Sequence, residues 1–311
     1  MIRVASVGEC MLELTHRDAT SLSLGFGGDT LNTALYIARC ADPTKLAVDY
    51  VTALGTDPMS DAMLAAWQAE GIGIGQVARL AGRLPGLYLI RTGDSGERRF
   101  FYWRTEAAVR ALFRGPESEA LLAALPGYDA IYFSGITLAV LAPAARDRFC
   151  EALAEARAGG RQVVFDSNFR PTLWPDPAEA QRVFGEFLPV VSLALPTFED
   201  EQALFGDGNA EATARRYRAA GVAEVVVKHG DQGCLLSTAE GLRSVPIPAA
   251  TLPVDTTAAG DSFNAGYLAA RLLSADPSRA AQAGHGLAGV VIQHRGAIIP
   301  RADTPTLKEL I

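Results

Sequence analysis

Short apolar runs alternate along the chain with stretches in which alanine and leucine recur every three or four residues. Residues 2–7, 47–52, 130–134, 162–166, 191–195 and 224–228 are apolar over nearly their whole length. Strands without polar alternation are those covered on both faces, and intervening helices supply the cover. The first five runs lead, directly or after a loop, into helical periodicity, and the sixth into further β-type segments. The pattern predicts a central, mainly parallel sheet between two helical layers. Local punctuation agrees. Asp57-Pro58 puts a capping oxygen before a proline at a helix start. Gly159-Gly160 ends a helix ahead of the run at 162.

Two regions break the rhythm. Residues 10–26 and 83–104 read as antiparallel strands. In the second, Leu87-Tyr88-Leu89-Ile90 and residues 99–104 flank Gly93-Asp94-Ser95-Gly96, the pattern of a hairpin. β strands inserted into a parallel-sheet domain predict a small lid over a site; an ordinary edge extension is the alternative. The expected organisation is one domain over 1–311, with a lid from about 10–26 and 83–106.

Composition narrows the class. With 49% hydrophobic and 20% charged residues, the chain is too apolar for disorder. A net charge of −7 argues against a nucleic-acid surface. There are three lysines (Lys45, Lys228, Lys308) against 25 arginines, and no lysine follows a glycine, so a Walker A loop is excluded. Cys10, Cys40, Cys150 and Cys234 are widely spaced, and His16, His229, His285 and His294 form no ligand pattern. No metal held by side chains is expected. The N-terminus reads as a first strand rather than a signal peptide. The longest uncharged stretch, 130–145, contains Ser134, Gly135 and Pro143 and is shorter than the ~20 residues of a membrane helix. A cytoplasmic protein without membrane or nucleic-acid partners is expected.

The most informative stretch runs from Asp255 to Ala270. Asp261, Phe263, Tyr267 and Ala270 follow helical spacing, so a helix is predicted to start near Asp261. Ala258, Ala259 and Gly260 precede it, and small side chains leave their N–H groups open to an anion. Asp261 beside such a loop fits a general base next to a developing phosphoryl or oxyanion charge. A simple capped helix is the structural alternative. Gly25, Gly27 and Gly28 do not make a dinucleotide fingerprint, since Thr30 stands at the third glycine position. They suit a turn where a hydroxylated ligand approaches the backbone, with Asp29 and Asn32 one helical turn apart.

These two motifs together resemble the signatures of the PfkB, ribokinase-like, carbohydrate kinases: Gly27-Gly28-Asp29-Thr30-Leu31-Asn32 near the start and the 255–261 loop near the end. The resemblance covers essentially the whole chain. Within the family it is nearest to bacterial members acting on 2-keto-3-deoxygluconate, through Gly25–Asn32, Tyr88, Phe101-Tyr102-Trp103-Arg104, Asn168-Phe169-Arg170-Pro171 and Arg295–Pro300. It implies a ribokinase-like α/β/α fold, ATP and Mg²⁺, and a small sugar acid as substrate; a homo-oligomer is expected beside these. By the same resemblance, Asn168 and Arg170 contact substrate and nucleotide. Lys228, Gly230 and Gly233 contact the nucleotide, together with Ala258 and Gly260, and a monovalent cation is implied near Asp255 and Thr257.

The remaining side chains can be weighed on their chemistry. A period of two places Phe100, Tyr102 and Arg104 on one face, where rings, a phenol and a guanidinium suit a polar acid. A solvated edge charge is the alternative for Arg104. Tyr88 on the partner strand closes the same pocket or is simply a β-favouring aromatic. Arg170 follows a buried strand, where ligands of open α/β sheets bind; its alternative is an ion pair with Asp166 or Asp176. Thr197-Phe198-Glu199-Asp200 stands where many family members carry Asn-x-x-Glu, which leaves a Mg²⁺ role for Thr197 and Asp200 open. The expected reaction is ATP-dependent phosphorylation of the terminal hydroxyl of 2-keto-3-deoxygluconate, with Asp261 as base and Gly28, Asp29, Asn32, Tyr88, Tyr102, Arg104 and Arg170 at the substrate. A neutral sugar, 2-keto-3-deoxygalactonate, or a non-catalytic sensor are the competing readings.

Overall fold

The computed structural model describes residues 1–18, 20–92, 98–248 and 252–311. The chain runs β1 (Ile2–Val7), β2 (Met11–His16), β3 (Leu22–Gly27), α1 (Asp29–Cys40), β4 (Leu46–Leu54), α2 (Pro58–Ala69), β5 (Val77–Arg79), β6 (Leu87–Thr92), β7 (Arg98–Trp103) and α3 (Pro116–Ala124). It continues through β8 (Ala130–Ser134), α4 (Gly135–Val140), α5 (Pro143–Ala158), β9 (Gln162–Asp166), α6 (Pro177–Phe187), β10 (Leu193–Ala194), α7 (Phe198–Phe205) and α8 (Ala210–Ala219). The last elements are β11 (Glu224–Lys228), β12 (Cys234–Thr238), β13 (Gly241–Val245), α9 (Ala259–Leu272), α10 (Pro277–Val291) and α11 (Leu307–Leu310).

Nine strands form the main sheet in the order β13-β12-β11-β10-β9-β8-β1-β4-β5. From β5 to β11 every neighbouring pair is parallel, while β12 and β13 close one edge antiparallel. Successive residues of a strand feed opposite cores, as the two-residue period requires. Phe133 and Phe165 belong to one apolar cluster, and Tyr132 and Val164 to the other. This is the three-layer arrangement expected from the sequence. Asp57 caps α2 through Met59 and Ser60 N–H groups, and Gly159 ends α5, also as expected.

The second sheet has the order β3-β2-β6-β7, built from the two regions that broke the sequence rhythm. β2–β3 and β6–β7 are antiparallel, but β2 and β6 pair in parallel, which the antiparallel reading did not foresee. The expected turn at Gly93–Gly96 lies outside the described residues. Other boundaries also differ. β4 extends to Leu46–Leu54, whereas β10 shrinks to Leu193–Ala194, between a 3₁₀ turn at Leu188–Val190 and Pro196. α9 begins at Ala259, earlier than Asp261, with Ala258 as its left-handed cap at φ 59.

Candidate active site

The carboxyl ends of the parallel strands meet the small sheet at a cavity of about 400 Å³. A second cavity of about 410 Å³ lies beside it, under the turn after β11 and against α10. Thr197, Lys228, Thr256, Ala259 and Gly260 line both. The first cavity is polar, with Asp29, Asn32, Asp166, Asn168, Arg170, Asp200 and Asp261 in its wall. The second has a largely apolar wall from Ile247, Pro253, Phe263, Ala288 and Ile292, with Gly230 and Gly233 at its rim. A polar pocket and an apolar slot thus join across the smallest side chains of the chain's most informative loop.

The shape of that loop follows from its residues. Asp255 Oδ1 accepts from Thr257 N (3.0 Å) and Thr257 Oγ1 (2.7 Å), and its Oδ2 accepts from Gly296 N (2.8 Å). The carboxylate therefore braces the turn ahead of α9. Of the three N–H groups read as an anion cradle, that of Ala259 already donates to Thr256 O at 3.2 Å. Gly260 N–H has no hydrogen bond among the described residues. A Cβ at Gly260 would lie 3.6 Å from Lys228 Nζ, so glycine keeps the space beside the ammonium open.

Asp261 stands in the first turn of α9, in the wall of the polar cavity and next to Gly260, which lines both. Its Oδ2 accepts from Asn32 Nδ2 at 2.8 Å, and Thr33 Oγ1 donates to its carbonyl at 3.2 Å. Removal from bulk water, with the Asp29 carboxylate nearby, pushes its carboxyl up to about 7. Asp29 is raised as well, chiefly by burial, and is held by Asn168 Nδ2 at 2.8 Å. Asn168 sits at φ 32, a conformation asparagine tolerates better than most residues. Asp29 is in the first turn of α1 and Gly28 is the N-cap, without a side-chain cap bond. Gly28 is required there for another reason: a Cβ would meet Glu9 O at 2.1 Å.

Lys228 is buried and lies 3.3 Å from Asp166 Oδ1 and 3.0 Å from Asn264 Oδ1. Asn264 Nδ2 completes the set by donating to Asp166 Oδ2 (2.8 Å) and Tyr132 OH (3.1 Å). Arg170 is half-exposed and pairs with Asp200 Oδ1 at 3.5 Å, rather than with Asp166 or Asp176. Burial raises the Asp200 carboxyl, against the pull of Arg170. His229 packs edge-on against Phe198, 4.7 Å between centroids.

From the small sheet, Tyr88, Phe100 and Tyr102 face the first cavity. Tyr88 OH donates to Glu13 Oε2, and the Tyr88 ring lies 5.9 Å from that of Tyr102. Arg104 departs from the one-face reading because β7 ends at Trp103. It is turned inward into a buried ion pair with Glu9 and does not line the cavity. The sequence reading missed Glu9, Glu13, Asn264 and the α10 wall. A buried-polar position inside an apolar helix, such as Asn264, was the one available signal.

A family profile described as "pfkB family carbohydrate kinase" matches residues 1–305. The 2-dehydro-3-deoxygluconokinase of Escherichia coli K12 is 49% identical over 308 residues, covering 97% of this chain and 99% of that protein. The crystal structure of a PfkB protein from Polaromonas sp. JS666 superposes with a TM-score of 0.83 at 28% identity, covering 100% of this chain and 99% of that one. An Escherichia coli protein crystallised with ATP and Mg²⁺ shares the fold (TM-score 0.84, 21% identity), covering 100% of this chain and 98% of its own.

Proposed function

This chain belongs to the pfkB family of carbohydrate kinases, and from that premise we propose that it phosphorylates the terminal hydroxyl of 2-keto-3-deoxygluconate (the 2-dehydro-3-deoxygluconate of its relative's name) with ATP. The observation that carries the reading is the meeting of the two cavities at Ala259 and Gly260, with Asp261 the next residue, in the wall of the polar cavity. The sugar acid occupies the polar cavity and the nucleotide base the apolar slot. A carboxyl near 7 is matched to accepting a hydroxyl proton at neutral pH. The freed oxygen attacks the γ-phosphorus in line, the bond to the β-phosphate oxygen breaks, and ADP leaves. Gly260 N–H and the N-terminus of α9 stabilise the moving charge, with Ala258 and Ala259 shaping the loop.

Among the described residues, no cluster of three His, Cys, Asp or Glu side chains could hold a metal. Asp166 and Asp200, in the wall of the polar cavity, would hold a Mg²⁺ through its water shell, where it would supply neutralisation of phosphate charge. Asn32 and Asp29 fix hydroxyls, while Tyr88 and Tyr102 cover the sugar chain. Arg104 would have to leave Glu9 to reach an anion, so Arg170 is the cation assigned to the carboxylate or γ-phosphate. Lys228 faces the nucleotide phosphates, with Gly230 and Gly233 along the slot. A monovalent cation beside Asp255 and Thr257 belongs to the same proposal, as do a cytoplasmic setting, supported by four free cysteines, and self-association.

A coupled ADP-release assay across sugars and 2-keto-3-deoxy acids tests the reading. Preference for 2-keto-3-deoxygluconate is expected. Equal kcat/KM for fructose overturns the acid assignment, and binding without turnover of any sugar acid reinstates a sensor.

A further inference from the structure

Behind the substrate cavity lies a cleft of about 410 Å³ that the proposed reaction does not use. The two share walls. Ile136 of α4 faces the substrate, and Ala139 and Val140 of the same helix face the cleft. In the segment after β9, Arg170 faces the substrate, and Leu173 and Trp174 face the cleft. Residues 105–106, just past the lid strand β7, complete its rim.

Arg83, Arg110, Arg114 and Arg146 line the cleft, together with Glu106 and Glu179. Arg83 is paired with Glu106 (3.1 Å) and Arg146 with Glu179 (3.4 Å). Arg110 and Arg114 form no ion pair among the described residues. Although Arg110 also feels the buried Glu9 carboxylate, the cleft gathers four arginines against two lining carboxylates in a chain of net charge −7. A solvated surface arginine needs no cleft, and an edge-protecting one would stand on a strand, whereas Arg110 and Arg114 stand on neither face of any sheet. Arginine forks suit phosphate and carboxylate oxygens, and Leu141, Pro143 and Trp174 give an apolar floor.

We propose that this cleft is a second ligand site, for a small organic dianion: a phosphate ester or a dicarboxylate with its carbon part on Trp174. The cleft is wired to the lid. Arg110 Nε donates to Arg104 O at 3.1 Å, and Arg104 ends β7 and is the buried partner of Glu9. An occupant that draws Arg110 outward acts on the stem from which the lid hangs.

The test is calorimetric titration of the full-length protein with glycerol 3-phosphate and, separately, with malate, which distinguishes the two sources of charge. At least one probe should saturate with a Kd of about 1 mM or tighter. Arg114→Ala, on an exposed side chain outside the catalytic machinery, should weaken that binding about tenfold, the loss of one charge-assisted contact, and Arg110→Gln/Arg114→Ala should abolish it. Thermal melting confirms that both variants are folded. Absence of saturation by either probe overturns the proposal. So does binding that survives unchanged in the double variant, which would place the anion in the main cavities. Because this test reads binding alone, it stands or falls independently of the kinase assay.

Discussion

The inner strands of the main sheet and β7 of the lid sheet both carry runs of large apolar side chains and bury them to very different degrees. Phe133 on β8 is fully buried, with the rings of Phe149, Phe165 and Phe187 at 5.3, 5.2 and 5.9 Å. On β7, Phe100, Phe101, Tyr102 and Trp103 are 43–59% exposed. The lid's own buried cluster is only Met11, Tyr88 and Ile90. Hydrophobicity alone therefore does not tell a core strand from a ligand-facing one. Helical cover on both faces does; in the lid, Leu12, with Phe26 and Leu87 beside it, reaches the core that helices cover, while the aromatics of β7 stay outside it.

The sharpest way to break this comparison is a truncation in each region. Phe133→Ala should cost about 3–5 kcal/mol of unfolding free energy in urea, from lost contacts and the cavity left behind. A cost within the range of a surface change would mean the core is less specific than its packing shows.

Between the two sheets, Asp261 adds a pH term. Its folded carboxyl titrates at about 7, above the ordinary carboxylate value, so between those values the native state holds a proton that the unfolded state has released. That group's contribution is complete below the unfolded value and is lost as pH rises through about 7. Asp261→Asn, which never ionises, should be more stable than wild type at pH 8, by the order of a few kcal/mol, with the difference vanishing toward pH 4. Parallel stability curves for the two proteins would contradict the buried-carboxylate geometry.

The smaller effects separate the two faces of the lid. Tyr102→Ala, on the cavity face, should leave stability within about 1 kcal/mol of wild type but lower kcat/KM for 2-keto-3-deoxygluconate about tenfold. Phe101→Ala, on the opposite face, should change kcat/KM least of all. Equal kinetic losses from both would show that the lid acts through its fold rather than its inner face.

Much of this layout is legible in the sequence, and what is not has physical causes. β1, β8, β9 and β11 have the ends expected of buried strands, because all but their first residues are held between the two helical layers. β10 is shorter because Pro196 and the preceding 3₁₀ turn take backbone from the ladder. The parallel pairing of β2 with β6 joins Glu13 to Tyr88, a contact across so much chain that no local periodicity reports it. In the site, Asp29, Asn32 and Asp261 come together as their motifs implied, since helix starts aim them at one point. Arg104 leaves the face of Phe100 and Tyr102 because alternation holds only while a strand continues, and β7 stops at Trp103. The Lys228–Asp166–Asn264 cluster needed coordinates, as its members come from β11, β9 and α9.

The central claim is that the lid and the main sheet present a hydroxyl and a phosphate to one carboxylate. ATP-dependent phosphorylation of 2-keto-3-deoxygluconate by Asp261→Asn, measured beside wild type under saturating substrates, tests it most directly. The account predicts a fall in kcat of about 10²–10⁴, the usual worth of a positioned general base, in a variant that remains folded. Turnover close to wild type would contradict it.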